Sequence, residues 1–206
     1  MKRYICILVA STFLVSTVKA QISYGVKAGG NITAMLGTYT YTSDKVGFNA
    51  GVFGALPLNK SFSLQAELYY SAQGEKQWYY TSNSWDPVSG SFTDGHYIKI
   101  PNRMSYLNLP VLVKFKTTCG CFIEAGLQAG WLISAHSKTP DGKVDEKDLY
   151  RSFDFSGTAG LGYQFPFGLG VDLRYNRSLM SVLKSNAYST YNSVAQLGLF
   201  YVLSKH

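Results

Sequence analysis

The residues that could carry out catalysis lie outside the regular stretches of the chain. Asp94 and His96 are separated by one residue in a long polar segment, and His136 stands in another, with serines near each. A histidine can act as a general base toward a hydroxyl or a water molecule. Histidines in loops are most often solvated polar residues, and an isolated Asp-x-His spacing is a weak signal. We therefore expect no catalytic site.

Two cysteines, Cys119 and Cys121, flank Gly120 in a predicted turn. In an oxidising compartment they could form a short local disulfide, and thiols at this spacing could also contribute to a metal site. No histidine or carboxylate stands beside them in the sequence to complete a tetrahedral ligand set. A structural or incidental turn pair is the third interpretation and the one we favour. We expect neither a metal nor another cofactor.

Charged residues within the regular stretches share one register. In the segment 106–115, every second residue from Leu107 to Phe115 is bulky and apolar, whereas Lys114 occupies the other register. A period of two is typical of a β-strand with one apolar and one polar face. The same partition recurs along the chain, and the charged residues on the polar faces are Lys27, Glu67, Lys114, Glu124, Asp154, Asp172 and Arg174.

Eight strands are needed to position these charges. We predict them over residues 22–33, 47–56, 62–71, 106–115, 123–133, 153–165, 169–176 and 192–203. Tight turns follow the second, fourth and sixth strands, which favours pairing between neighbours in the chain. The predicted fold is all-β, an eight-stranded antiparallel up-and-down barrel.

The distribution of charge indicates that this barrel spans a membrane. An Arg or Lys facing lipid at the bilayer midplane costs roughly 2–4 kcal/mol, which explains why the apolar faces carry no charge. Strands of about 11 residues, tilted by about 40°, span near 28 Å, which matches the apolar band of a bilayer. The polar faces are rich in glycine, and small residues leave room beside charged ones in a narrow lumen. The charges are four acidic and three basic groups, which a narrow lumen could pair.

The first 20 residues have the pattern of an export signal. Lys2 and Arg3 precede the apolar run 4–18, which ends at Lys19 and Ala20 with small residues at the cleavage positions. We predict a cleaved signal peptide over 1–20 and a barrel domain over 21–206. Removing three basic residues lowers the net charge from +7 to +7 − 3 = +4. No basic cluster interleaved with stacking aromatics remains, so nucleic acid is not an expected partner.

The predicted connections alternate in length. Long loops over 34–46, 73–103, 134–152 and 179–191 alternate with turns of a few residues, as in outer-membrane barrels, which places both termini in the periplasm. Aromatics near strand ends could form the girdles at the two membrane interfaces: Tyr24, Tyr70, Trp131, Tyr163 and Tyr201. Aromatics are also enriched in binding surfaces, and the second loop offers a candidate contact surface in Trp78, Tyr79, Tyr80, Trp85, Phe92 and Tyr97.

Three segments resemble one family. The segment from Tyr106-Leu107-Asn108-Leu109-Pro110 to Lys114-Phe115 is similar to the YLxIPxLxKY signature of the PorT-like outer-membrane β-barrel family of Gram-negative bacteria. Glu124-Ala125-Gly126 to Trp131-Leu132, and Phe153-Asp154-Phe155 to Gly160-Leu161-Gly162-Tyr163, resemble that family's next two strands. The resemblance implies an outer-membrane barrel and, through the family's namesake, an accessory role in protein secretion.

The last strand also resembles the signal that the barrel-assembly machinery recognises, through Gln196, Gly198, Tyr201 and Leu203. The expected partners are outer-membrane lipid, that machinery, and an external or secretion-system protein. We expect a structural or interaction role and no enzyme activity. Two alternatives are a secreted lipocalin-like barrel, whose apolar face would line a ligand cavity, and a small-solute pore, which eight strands leave little room for.

Overall fold

The protein folds as a closed antiparallel sheet. The structure, a computed structural model, describes residues 22–37, 42–80, 83–86, 88–139, 142–184 and 189–204. The predicted signal peptide, residues 1–20, lies outside the described residues. The barrel strands are β1 Ser23–Gly37, β2 Lys45–Pro57, β3 Phe62–Tyr80, β4 Tyr97–Lys116, β5 Cys121–Thr139, β6 Phe153–Gln164, β7 Leu169–Ser178 and β8 Thr190–Ser204.

Every barrel strand pairs with its neighbours in the chain, and the ring closes between the first and last. Asn31 of β1 lies opposite Gln196 of β8 on one side and opposite Gly47 of β2 on the other. All the pairings around the ring are antiparallel. The predicted eight-stranded antiparallel up-and-down barrel is confirmed.

The apolar faces of the strands point away from the barrel axis. Leu109, Leu127 and Leu197 are 40%, 51% and 61% exposed, whereas Glu67 and Arg174 are 2% and 1% exposed. A ring of outward leucine, valine and isoleucine is stable against acyl chains and unfavourable against water, where it would form a very large apolar patch. The lipocalin-like alternative is not favoured, because it requires this apolar face to line the interior.

Two rows of outward aromatics border the apolar belt. Phe62 and Phe115 pair with ring centroids 5.0 Å apart near the end of the barrel that carries the short turns, called here the short-turn end. Trp131 and Phe153 pair at 5.7 Å toward the opposite, long-loop end. Eight residues along β3 separate Phe62 from Tyr70, about 26 Å of strand or about 20 Å along the axis at a tilt near 40°. The predicted girdle residues divide between the rows, with Tyr70 and Trp131 in one and Tyr24, Tyr163 and Tyr201 in the other.

Three of the four loops predicted at the long-loop end were too long, whereas the fourth, 179–191, agrees with the connection between β7 and β8. Strands β1, β3 and β5 continue to Gly37, Tyr80 and Thr139, and β4 begins at Tyr97. The predicted loop 73–103 is therefore mostly paired strand, and the connection between β3 and β4 covers only 81–96. Beyond the apolar belt the outer faces of the strands also carry polar residues such as Lys76, Arg103 and Lys138, so apolar alternation lapses while backbone pairing continues. The short turns, 58–61, 117–120 and 165–168, agree with the prediction.

Small elements decorate the long-loop end. Ser84–Asp86 and Ser91–Thr93 form a short hairpin, Thr42–Ser43 extends along β3, and Gly142–Asp145 pairs with β5. A single turn of 3-10 helix covers Lys147–Leu149. In the described part of the chain, no helix is both long enough and apolar enough to cross a membrane.

Candidate functional site

Six of the seven charged side chains form one ion-pair cluster inside the barrel, called here the central cluster. Arg174 of β7 reaches across the lumen to Glu67 of β3, where Nη1 and Nη2 each donate to a carboxylate oxygen at 2.8 Å. Its Nε also donates to Oε1 of Glu124 at 2.9 Å. Planar guanidinium and carboxylate groups match in this two-bond geometry, which makes such pairs directional and strong.

Two lysines complete the central cluster. Lys27 lies 3.3 Å from Glu67 and 3.5 Å from Asp172, and Lys114 lies 3.3 Å from Glu124. The cluster therefore balances three positive charges, from Lys27, Lys114 and Arg174, against three negative ones. Burying an isolated charge costs several kcal/mol, so neutrality within a dry lumen is a condition for this arrangement to be stable.

Asp154 is separate from that cluster. Its carboxylate accepts hydrogen bonds from the hydroxyls of Ser156 at 2.8 Å and Ser178 at 2.9 Å, closer to the long-loop end. Ion pairing inside the lumen does not extend to Asp154, because within the described residues no basic group lies in ion-pair distance of it. Hydroxyl donors take the place of a counter-ion.

Neutral polar side chains surround the central cluster. Tyr69 donates its hydroxyl to Gln128 at 2.6 Å, and Gln65 donates to Glu67 at 2.6 Å. The amide of Asn31 reaches the carbonyl oxygens of Phe48 and Ala72 at 3.1 and 3.2 Å. These buried side chains point into the lumen and occupy it, so the interior is built from hydrogen-bonded side chains.

Three phenylalanines close the lumen at the short-turn end. Phe200 lies between Phe53 and Phe122, with ring centroids 5.9 and 5.8 Å away, and all three are buried. The ammonium of Lys114 stands 4.1 Å from the ring centre of Phe122, which joins this aromatic plug to the central cluster by a cation–π contact. We refer to these three residues as the aromatic plug.

Each ring of the aromatic plug covers a glycine. A Cβ added at Gly25 would meet Phe53, one at Gly162 would meet Phe122, and one at Gly170 would lie 2.1 Å from Phe200. The sequence pattern showed the glycines but not their use. The signal that could have found the aromatic plug is a phenylalanine in the polar register, beside glycines of a neighbouring strand.

A second apolar cluster lies inside the barrel at the long-loop end. Its members are buried and come from three strands, β1, β4 and β5, and from the two segments that hold Tyr150 and Val182. Leu132 and Ala135 of β5 belong to it, on the inward face of a strand whose outward face carries Trp131. The full set is Met35, Met104, Tyr106, Leu132, Ala135, Tyr150 and Val182, with Leu183 packed against it.

The aromatic candidates near the second loop lie on strands and on the small hairpin. Tyr80 and Tyr97 face each other across β3 and β4 with ring centroids 5.1 Å apart, and Lys99 places its ammonium 4.1 Å from the ring centre of Trp78. Phe92 is 59% exposed in the hairpin, opposite Trp85. The side chains of Tyr79 and Trp85 lie outside the described part of the chain.

The candidate catalytic and metal-binding residues do not converge. His96 places Nδ1 3.5 Å from the carbonyl oxygen of Asp94, a contact to backbone and not to a carboxylate. His136 stands on the outer face of β5, 4.0 Å from Asp145. Cys119 lies in the turn between β4 and β5, Cys121 is the first residue of β5, and both are free, exposed thiols. Among the described residues, no three histidine, cysteine or acidic side chains are grouped as a metal site.

The residues of the predicted assembly signal lie on β8. Gln196 is buried in the lumen, where its amide donates to the hydroxyl of Tyr69 at 3.4 Å, and Gly198 lies opposite Asp172. Tyr201 and Leu203 point outward and are 44% and 56% exposed.

Comparison with known proteins agrees with this architecture. The family described as outer membrane protein beta-barrel domain matches residues 16–184. The crystal structure of Neisserial surface protein A is similar at 12% sequence identity, covering 86% of this chain and 96% of that chain with a TM-score of 0.56. The attachment invasion locus protein Ail of Yersinia pestis is similar at 14% identity, covering 88% and 99% with a TM-score of 0.49. No curated protein sequence matches the chain.

Proposed function

The chain belongs to the outer membrane protein β-barrel domain family, and from that premise we propose that it is a sealed, non-conducting barrel with a structural or interaction role at the cell surface. One observation carries this proposal. The aromatic plug, the central cluster and the second apolar cluster, which contains Met104 and Leu132, follow one another along the lumen, so side chains fill its cross-section at three levels. Eight strands enclose a space that side chains of ordinary size can fill.

The proposed placement puts the short-turn end and both termini in the periplasm. Short periplasmic turns and longer external connections are the rule in such barrels. Residues 1–20 then act as a cleaved export signal, and Gln196, Gly198, Tyr201 and Leu203 of the last strand serve as the assembly signal.

Conductance across a planar bilayer tests the sealed barrel. Protein refolded in detergent should insert without producing conductance steps, while a large-barrel porin in the same bilayers gives them. Reproducible steps from the wild-type chain would show an open lumen and refute the proposal in favour of a small-solute pore.

A second role, contact with an external protein, is supported by the exposed aromatics beyond the membrane belt. Trp78, Tyr80, Phe92 and Tyr97 are 42%, 57%, 59% and 68% exposed, so much of each aromatic side chain is available to a partner. A photo-crosslinking residue at position 92 should give a discrete adduct on intact cells, and one at position 127, in the lipid belt, should not. Absence of any adduct at position 92 would remove this role.

The resemblance of the segment 106–115 to PorT-like barrels supports a third, finer role as an accessory of protein secretion. Deleting the gene should then reduce the amount of secreted protein in the medium while leaving its synthesis unchanged. Normal secretion after deletion would exclude this role without affecting the sealed barrel.

A further inference from the structure

Basic residues dominate the outward face of β3, β4 and β5 beyond the aromatic row. Arg103 lies opposite His136, and Lys138 lies opposite Lys143 of the added strand Gly142–Asp145. Directly paired residues share a face of the sheet, and Arg103, His136, Lys138 and Lys143 are all exposed. Together with Lys76, which is exposed on β3, the three cations Arg103, Lys138 and Lys143 form what we call the basic rim.

This arrangement places like charges next to one another. Like charges directly opposite each other across an antiparallel pair repel, and the pairing of Lys138 with Lys143 is such a case. One carboxylate, Asp145, shares the rows, and it lies 4.0 Å from His136. The charged groups that act most strongly on neighbouring Lys45 are Arg103 and Lys76, which are also basic.

A hollow of about 690 Å³ opens beside the basic rim. It lies where β2 and β3 separate, since their pairing ends at Asn49 and Ser71. Lys45 crosses the gap, and its ammonium group donates hydrogen bonds to the carbonyl oxygens of Gln73 and Asn102, both at 2.9 Å. The walls combine that lysine, Arg103, Lys138 and Lys143 with the rings of Phe48 and Tyr70. A polar, basic upper part thus adjoins an aromatic lower part.

The height of the hollow matches the headgroup level of the membrane. Tyr70 and Phe48, whose ring centroids are 5.6 Å apart, stand in the aromatic row at the edge of the apolar belt. The hydroxyls of Tyr70 and Ser105 meet at 2.7 Å one step above. Arg103 lies four residues before Leu107, which is level with Tyr70 and Trp131. Four residues are about 13 Å of strand, and the long side chain of Arg103 can reach back toward the interface.

We propose that the basic rim and its hollow bind the phosphate groups of a phosphorylated glycolipid in the outer leaflet, with its acyl chains along the apolar belt below. This inference rests on the external placement of the long-loop end proposed above. Guanidinium and ammonium groups donate charge-assisted hydrogen bonds to phosphate oxygens, and a bound phosphate relieves the repulsion between Lys138 and Lys143. The aromatic floor then contacts the glycolipid where its sugars meet its acyl chains.

Native mass spectrometry of the full chain, refolded in detergent and titrated with bisphosphorylated lipid A, tests the proposal. The triple variant Arg103→Gln, Lys138→Gln, Lys143→Gln should bind at least tenfold more weakly than the wild type. Its matched control is Lys60→Gln, Arg177→Gln, Lys184→Gln, which removes equal charge from exposed or half-exposed positions elsewhere and should bind within about twofold of the wild type. Equal binding by the rim variant and the wild type would overturn the proposal.

Two further measurements distinguish a phosphorylated lipid from a free phosphate as the bound anion. Dephosphorylated lipid A should bind as weakly as the rim variant does, and equal binding of both lipids would overturn the phosphate site. Inorganic pyrophosphate at matched phosphate concentration should fail to displace lipid A, whereas full displacement would overturn the lipid assignment.

If the triple variant does not fold, Lys138→Gln and Lys143→Gln are tested singly, each with about threefold weaker binding expected; wild-type affinity in both would contradict the site. Conductance of the same samples tests the sealed lumen independently.

Discussion

The contribution of a single residue inside the barrel to stability depends more on its contact partners than on its own burial. Arg174 is 1% exposed and satisfies two glutamates from other strands, so its removal leaves two charges without their main counter-ion. Gly170 is matched in the same way to one ring, that of Phe200. In a lumen this narrow, the free-energy cost of a substitution depends on which buried partners lose their hydrogen bonds or ion pairs and on which side chains must move.

Replacing Arg174 with methionine should destabilise the folded barrel by about 3–5 kcal/mol, because Glu67 and Glu124 remain buried without it. Urea unfolding in phospholipid vesicles measures the loss. Arg177→Met, on the same strand but exposed, is the matched control. The triple variant Arg174→Met, Glu67→Gln, Glu124→Gln should recover part of the stability. A loss no larger than that of the control would contradict the role of the central cluster.

Gly170→Ala should displace the ring of Phe200 and destabilise the barrel by about 1–3 kcal/mol through overpacking. Gly30→Ala is the control, since an added Cβ there meets its nearest neighbour only at 4.0 Å. Adding Phe200→Leu to Gly170→Ala should restore most of the loss, again by urea unfolding. An effect unchanged by the second substitution would mean that the ring is not what the methyl group meets.

Each long strand has two parts along its length. One part lies in the apolar belt that faces lipid, and the other extends beyond the belt at the long-loop end. Strand β5 runs for 19 residues, of which the part from Ile123 to Trp131 carries the outward apolar belt. From His136 onward its outer face is polar, and the backbone of this part pairs with the added strand Gly142–Asp145. A charge should therefore be costly on one part of the same wall and tolerated on the other.

Leu127→Arg, in the middle of the belt, should cost about 2–4 kcal/mol, while Leu36→Arg, next to the long-loop end of β1, should cost about 0–1 kcal/mol. The two outward leucines are exposed to a similar degree, 51% and 44%, so depth in the membrane is the variable compared. Unfolding in vesicles gives both values. Equal costs at the two positions would contradict the proposed height of the apolar belt.

The whole molecule is held by a hydrogen-bonded ring without free edges. Strand β8 pairs with β7 on one side and with β1 on the other, which satisfies its backbone groups where lipid could not. Closure by first and last strands also means that the ring forms only after the entire chain is present.

The closed ring should resist detergent, so unboiled protein should migrate faster than boiled protein in detergent gels. Leu197→Pro removes a backbone donor from the middle of β8 and should abolish the fast-migrating form, whereas Leu197→Val should keep it. Retention of the fast form by Leu197→Pro would contradict closure through this strand.

Local chemistry determined much of this protein from the sequence by itself. Alternation of residues such as Leu107 and Lys114 assigns each side chain to a face over eight strands, because a strand's period is two residues. The cost of a charge in lipid then decides that Lys114 and Arg174 face inward. The predicted strand ends were wrong near Tyr80 and Tyr97. Beyond the bilayer both faces carry polar residues, so the sequence no longer alternates between apolar and polar.

Only the tertiary structure decided which partners meet. Arg174 and Glu67 are 107 residues apart in the chain and join through the curvature of a closed sheet, which no local pattern encodes. The same holds for Asp154, held by two serines, and for Phe200 seated on Gly170. Faces follow from local periodicity, whereas contacts across a lumen follow from register and closure, which are properties of the whole ring.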